Sequence, residues 1–364
     1  MEIYRRMLKG GEMLMSYALD ERSRFILKAI VQNYIMNAEP VGSRTVSKMD
    51  GVEISPATIR NVMADLEEMG YVEQPHASAG RIPTDKGYRF YVDSLIKIPV
   101  LTKAESKRIN RNYESKMTEI EKIMESTSKL LSYISNQAGI VLPPKFTNIT
   151  FKHISFVKMR DNHVLAIFVS ESGVVQNKII SIEEDIRQED LDTITTYLNN
   201  EFGGLTLKMI REKIIEIMAN DKREYDNLLL RAIDLGKKVF FEGRVKEDIY
   251  VGGATNILEQ PEFIADVKKM KTIFKALEEK AKLIKILDKC IEEEGIHIVI
   301  GSESEIHEIS DCSIVTHTYK YEDSALGVLG IFGPKRMEYP KVIAIVNYTA
   351  GLVSKILSGK NEES

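Results

Sequence analysis

The sequence predicts an α+β multidomain chain headed by an N-terminal winged helix-turn-helix. Three observations lead there. Three helical patterns follow one another between Asp20 and Gly70, the third sharply bounded and amphipathic. A loop of small residues carrying one arginine, Pro75–Pro83, comes directly after the third. Beyond residue 100, strand-like apolar runs alternate with long helical ones, as in an α/β core.

Composition bounds the function classes. At 364 residues the chain has length for two or three domains. It carries 50 Lys and Arg against 54 Asp and Glu, a formal net charge of −4. No global basicity advertises nucleic acid, so any duplex contact must come from local placement. Cys290 and Cys312 are far apart and form no CxxC pair, which argues against a disulfide framework or structural zinc. No apolar run reaches the ~18 residues of a membrane span. Met1–Leu19 holds Arg5, Arg6, Lys9 and Glu12 without the apolar core of a secretory signal. A cytoplasmic protein with no membrane partner and no cofactor is expected. Met7, Met13 and Met15 are alternative starts, and the fold is expected to begin near Met15.

Asp20 is expected to cap a first helix striped by Phe25, Ile26, Ile30, Val31 and Tyr34 and ended before Pro40. A short second helix follows Ser43, its expected cap, through Arg44 to Lys48, and Asp50-Gly51 signals a turn. The third has Ser55 as N-cap, Pro56 at its first position, apolar residues at Ile59, Val62, Met63, Leu66 and Met69, and Gly70 as its C′ residue.

The opposite face of this third helix divides along its length. Its first turns show Ala57, Thr58, Arg60 and Asn61; its last show Asp65, Glu67 and Glu68. Phosphate repels acids, so only the first half can approach a duplex. That is the polarity of a recognition helix, whose early residues meet base edges in the major groove. Taken alone, an ordinary amphipathic helix with solvated acids accounts for the pattern equally well. The next stretch decides between them. Tyr71–Gln74 reads as a short strand, Pro75–Pro83 as a wing, and Thr84 as the cap of a helix through Tyr88, Tyr91 and Leu95.

Thr58, Arg60 and Asn61 are the candidate base readers. Arg44, His76, Ser78 and Arg81 are candidate backbone or wing contacts, Arg81 reaching the phosphates or the minor groove. Ser43 and Ser55 are candidate caps that bring hydroxyls or amides near phosphate. Between Asp20 and Lys97 the acids are at least as numerous as the bases, so few phosphate contacts and a modest salt dependence are expected.

Farther along, Lys103–Gln137 reads as one long helix. Ile154–Met159, His163–Val169 and Val174–Ile180 read as strands, with hairpin signals at Asp161-Asn162 and Ser172-Gly173. Leu191–Phe202, Ile210–Met218 and Tyr225–Phe241 read as helices, Tyr250–Gly253 as a strand and bend, and Phe263–Ile291 as a further helix. Strands at Ile296–Ile300, Cys312–Tyr319 and Ala325–Phe332 precede an apolar helix, Pro340–Leu357.

No catalytic motif emerges. His297, His307 and His317 recur at a spacing that is neither helical nor β-paired. The glycines of Gly327–Gly333 lack a Walker lysine, and no Ser/His/Asp or Cys/His arrangement is supported. A non-enzyme is expected.

The segments LDERSRFILKAIVQNYI, EPVGSRTVSK, SPATIRNVMADLEEMGYVEQPHASAGRIPTDKGYRFYVDSL and GVLGIFGPKRMEYPKVIAIVNYTAGLVSKIL resemble the heat-inducible transcription repressor (HrcA) family, from Asp20 to Leu357. The pairing of SPATIRNVMADLEEMGY with HASAGRIPT is the specific part. The resemblance implies a winged helix, a GAF-like α/β domain and a mainly helical dimerisation domain inserted into it. It also implies an inverted-repeat operator (CIRCE) ahead of chaperone operons and control by a GroEL-type chaperonin. The expected boundaries are 1–19 for an extension, 20–98 for the winged helix, 99–182 and 264–358 for the discontinuous GAF-like domain, 183–263 for the insert and 359–364 for a polar tail.

A magnitude argues independently for a homodimer. One short helix discriminates a few base pairs at ~1–3 kcal/mol each, against ~10⁶ or more competing sites. Two symmetry-related helices double that, and an inverted repeat follows from the two-fold axis. Two competing readings remain: a regulator controlled by a ligand in the GAF-like domain, and a scaffold whose winged helix binds protein. Arg60 and Arg81 argue against the second.

Overall fold

The computed structural model describes residues 19–49, 53–113, 120–144, 150–171, 175–182, 186–219, 227–240, 249–264, 266–278, 280–304, 306–321 and 324–358. The expected turns at Asp50-Gly51 and Ser172-Gly173, the N-terminal extension up to residue 18 and the polar tail lie outside them. The chain divides into two compact units, one of residues 1–97 with 335–338 and one of 98–334 with 339–364.

In the first unit, α1 (Glu21–Asn37) opens on Asp20, whose carboxylate accepts from Ser23 N at 2.7 Å. The Ser23 hydroxyl and then the Ser23 amide, with a smaller contribution from the Arg22 charge, hold the Asp20 carboxyl below the usual range. Two further helices follow, α2 (Ser43–Ser47) and α3 (Pro56–Glu68). Strand β1 (Val72–Glu73) pairs antiparallel with β2 (Ile82–Pro83), the second half of what the sequence showed only as loop. Helix α4 (Asp85–Phe90), capped by Thr84 as expected, runs on into one π-helical turn, Tyr91–Leu95.

The core of this unit is the inner stripe of α1 and α3: Ile26, Leu27, Ile30, Ile59 and Leu66 are fully buried, with Val46 of α2 and Tyr88 of α4 beside them. Each such side chain contributes ~1.5–3 kcal/mol by leaving water. Residues Lys335–Glu338 belong to the same unit, Lys335 Nζ meeting the Asp85 carboxylate at 2.7 Å.

In the second unit the expected long helix is two. Helix α5 (Lys103–Arg111) has a capping box between Thr102 and Glu105, and α6 spans Ile120–Ser135. Asn112 Nδ2 donates to Ser126 Oγ and the Tyr113 hydroxyl meets Thr127 Oγ1, both at 2.7 Å. Residues fourteen apart stand ~21 Å apart in a straight helix, so α5 and α6 are not parts of one straight helix. The apolar periodicity of the two segments happens to stay in phase, which is why the sequence reads as one.

Strand β3 (Ala138–Leu142), missed in the sequence, is buried along its whole length and so shows no alternation. It lies second in an antiparallel five-stranded sheet whose order is β7-β3-β10-β9-β8, formed with β7 (Tyr250–Gly252), β8 (Ile296–Ile300), β9 (Cys312–Tyr321) and β10 (Ser324–Pro334). Ala138, Ile140, Val328 and Phe332 face α12 (Val267–Glu278) and α13 (Lys280–Glu292) in one core cluster. The helix expected from 263 starts at Val267, after the short α10 (Ala254–Leu258) and α11 (Pro261–Ile264), and residue 279, between α12 and α13, lies outside the described residues. The other sheet face meets α6 and α14 (Tyr339–Leu357).

A separate sheet, β4-β5-β6, is built from β4 (Phe151–Lys158), β5 (His163–Ser170) and β6 (Val175–Ser181). Asp161 and Asn162 turn the first hairpin with φ of 57° and 54°, as that dipeptide predicts. Its inner face, Ile154, Phe156, Val164 and Phe168, packs with Leu191, Ile194, Leu198 and Phe202 of α7 (Gln188–Phe202), and α8 (Leu207–Ala219) and α9 (Asn227–Phe240) follow. A boundary at Glu183 would cut between β6 and the helix this sheet packs on.

Two side-chain amides of α7 close the outer edge of β4. Asn199 accepts from Ile154 N at 2.7 Å and donates to Ile154 O at 3.0 Å. Gln188 accepts from Lys158 N at 2.8 Å and donates to Phe156 O at 2.9 Å. Each amide imitates a neighbouring strand, which blunts an edge otherwise open to pairing.

Candidate nucleic-acid interface

Helix α3 starts on Ser55, in extended conformation, whose Oγ accepts from Thr58 N at 3.2 Å, with Pro56 at the first position. Its end is held from three sides. Gly70 sits at φ 75°, Gly70 N donates to Glu67 O and Tyr71 N to Leu66 O, both at 2.9 Å. This is the paired bonding of a Schellman motif, and the buried Tyr71 and Leu66 supply its hydrophobic contact. The Thr84 hydroxyl donates to Gly70 O at 2.7 Å while capping α4, and Lys86 Nζ donates to Met69 O at 2.8 Å, lying 4.5 Å over the Tyr71 ring. A cation at a helix C-terminus also complements the dipole.

The sequence-expected base readers separate on this frame. Arg60 and Asn61 are exposed and make no ion pair or side-chain hydrogen bond to any described residue. Thr58 is half-buried, and its Oγ1 lies 2.9 Å from Ser55 Oγ, so its hydroxyl is committed to the cap. Of the backbone candidates, Arg44 on α2 and His76 and Ser78 on the wing are exposed. Ser43 is not: the residue in capping position is Gly42, and Ser43 is buried as the first helical residue. Its backbone is already helical, so it does not hold the extended position a cap requires.

Arg81 also departs from expectation. It forms an isolated antiparallel bridge with Val41, Val41 N to Arg81 O and Arg81 N to Val41 O both at 2.9 Å. A Cβ on neighbouring Gly80 would come within 2.4–2.7 Å of the Val41 backbone, so only glycine admits that approach. The Arg81 guanidinium meets Glu67 of α3 at 2.7 Å, and its side chain is 18% exposed. Sequence reasoning missed this partner and also Gln74, whose Nε2 donates to Ala77 O and Ala79 O across the wing, both at 3.0 Å. No local spacing couples Glu67 to Arg81. A glutamine beside a loop of small residues was the visible signal for the second.

The histidines rejected above stay apart. His297 opposes Thr316 and His317 opposes Ile296, so the two imidazoles leave opposite faces of the sheet. Burial pushes both toward the neutral form. Cys290 and Cys312 are both buried. Among the described residues no group of His, Cys, Asp and Glu is placed to hold a metal ion, and no helix is long and apolar enough to cross a membrane.

A family model described as the winged helix-turn-helix transcription repressor, HrcA DNA-binding, matches residues 18–94, and one described as the HrcA protein C terminal domain matches 121–343. The heat-inducible transcription repressor HrcA of Geobacter sulfurreducens is 46% identical over 342 residues, covering 94% of this chain and 99% of that protein. The chain belongs to the HrcA family of heat-inducible transcription repressors. The HrcA of Syntrophobacter fumaroxidans is 40% identical over 346 residues, 95% of this chain and 99% of its own length. A solved structure, described only as a hypothetical protein at 2.2 Å resolution, shares the fold with a TM-score of 0.64 and 23% identity over 94% of this chain and 100% of its own. The DNA-binding winged helix of the HrcA family is thus the unit built on α1–α4.

The cap of its recognition helix gives a direct test. Ser55→Ala removes both the bond to Thr58 N and the tie to the Thr58 hydroxyl. It is expected to destabilise the first unit by about 0.5–2 kcal/mol, read from urea unfolding followed through the winged-helix tyrosines. An unchanged midpoint would remove Ser55 from this role.

Proposed function

We propose that the chain represses chaperone operons by binding an inverted-repeat operator of the CIRCE type as a homodimer. The carrying observation is the polarity of α3. Its exposed, cation-bearing first half offers Arg60 and Asn61, while Glu67 on its acidic second half is engaged by Arg81. A groove-facing helix needs that asymmetry; a solvated surface helix does not. Arg60 and Asn61 are assigned to base edges, and Arg44, His76 and Ser78 to phosphates.

The dimer surface is assigned to the outer face of the β4–β6 sheet. Pairing brings Val157, Leu165 and Ile179 into one row and Val169 and Val175 into another. Val157, Val175 and Ile179 are 43%, 56% and 58% exposed. The three-stranded block with α7–α9 replaces 183–263 as the proposed insert, and the five-stranded sheet with its helices is proposed as the GAF-like domain. Its two-sided helix cover supports that assignment.

Control by a GroEL-type chaperonin rests on the family resemblance and on topology. The five-stranded sheet closes only when β3 pairs with β10, almost two hundred residues later. Such non-local closure is slow and exposes apolar surface meanwhile.

Three measurements test this reading. Arg60→Ala is expected to weaken operator binding by about 1–3 kcal/mol and to blur preference at one position per half-site; equal losses on operator and scrambled duplex would make it a phosphate contact. Ile179→Glu should leave the fold intact and shift sizing and light scattering to the monomer, with the operator then bound no better than a half-site duplex. A dimeric Ile179→Glu would move the interface elsewhere. In a refolding assay read by operator binding, chaperonin with ATP should raise the active fraction after mild heating. Equal recovery without it, with a metabolite shifting the curve instead, would favour a ligand-controlled regulator.

A further inference from the structure

The wing is tied to itself and to the rest of the first unit by a set of specific contacts. Gln74 Nε2 ties together two wing carbonyls, Gly80 lies against the Val41 backbone, and Arg81 is bridged to Val41 on both sides. The Arg81 side chain turns toward α3, where its guanidinium meets Glu67 at 2.7 Å, and its Nε is buried with no described hydrogen-bond partner. A phosphate-binding arginine extends its fork outward; this one has its inner edge against the protein and its outer edge on a carboxylate.

We propose that Arg81 is a positioning residue for DNA binding, locking the wing to the recognition helix through Glu67 and neutralising that acid, so that the exposed His76–Ser78 tip meets the duplex at a fixed distance from α3. The proposal rests on the operator-binding reading above. It also explains why Glu67 needs a partner, since an unpaired carboxylate on the groove-side helix would repel phosphate. Methionine keeps most of the arginine stem and glutamine keeps the shape of glutamate, so the variants below are expected to remain folded. The cost of losing the ion pair falls on the order of the wing, which binding must then restore.

The test uses the full chain as wild type, Arg81→Met, Glu67→Gln and the double variant. Each is titrated onto an inverted-repeat duplex from upstream of a chaperone operon, and onto a scrambled duplex, across a salt series. Amide hydrogen exchange of the segment 72–83 is followed in parallel. Arg81→Met should weaken operator binding about tenfold with an unchanged slope of log K against log salt, and the wing amides should exchange faster. Glu67→Gln should weaken binding too, although it removes a negative charge. The double variant should be no weaker than Arg81→Met alone. A slope reduced by about one unit, with wing exchange unchanged and Glu67→Gln binding as tightly as wild type or tighter, would make Arg81 a direct phosphate contact and overturn the proposal. Wild-type affinity in Arg81→Met would overturn it equally. If the wild-type chain does not distinguish the inverted repeat from the scrambled duplex, the operator reading fails. The exchange comparison then still decides whether Arg81 holds the wing.

Discussion

The first unit hangs on the way the chain leaves α3. The last carbonyls of a helix have no helical partner, and here Leu66 O, Glu67 O and Met69 O each receive one, as does Gly70 O just beyond the helix. Two are taken by the left-handed turn at Gly70, one by Lys86 and one by Thr84. Because Thr84 and Lys86 belong to the element after the wing, the same bonds that finish the recognition helix set where the wing begins and ends. A residue other than glycine at position 70 would have to adopt φ 75°, and the strain would reach the wing as well as the helix.

Much of this was legible because it is local. Ser55, Pro56 and Gly70 bound α3 in the sequence as they do in the structure, and Asp20 and Thr84 cap the helices they announce. Local chemistry fails where a partner is distant in the chain. Arg81 looked like a lone cation on a flexible loop because nothing near it in sequence names Glu67 or Val41. Ser43 looked like a cap because serine prefers that position, yet Gly42 already held the extended backbone a cap needs. Strand β3 was invisible for a third reason. Covered on both faces, it shows no period of two, and its five residues are too few to separate from a helix tail.

The second unit treats the edge and the face of its small sheet differently. On β4 the amides of Gln188 and Asn199 occupy the ladder positions that another strand would use. The apolar outer face of the same small sheet has no such treatment, and Val175 and Ile179 stay more than half exposed. Four hydrogen bonds shield one edge of this sheet while large β-branched residues on its face stay in water, the pattern expected if the face and not the edge carries the proposed self-association. In the proposed dimer, contact through the face lets side-chain packing set the register, whereas an open ladder would accept any extended segment.

A chain of net charge −4 also has to bind a polyanion. It does so by where its acids point. Asp65 and Glu68 are exposed on the far half of α3, and Glu67, nearest the wing, is the one held by an arginine. With Arg44 and Arg60 as the proposed positive contacts, the electrostatic term is small and falls gently with salt. Weak phosphate attraction lowers affinity for every sequence alike, and discrimination must then come from base contacts made twice over. On the proposed operator-binding reading, two-fold symmetry compensates for the sparse charge on this helix. A monomer with the same face would be lost among competing sites, whereas a dimer multiplies the specific term without raising the non-specific one per subunit.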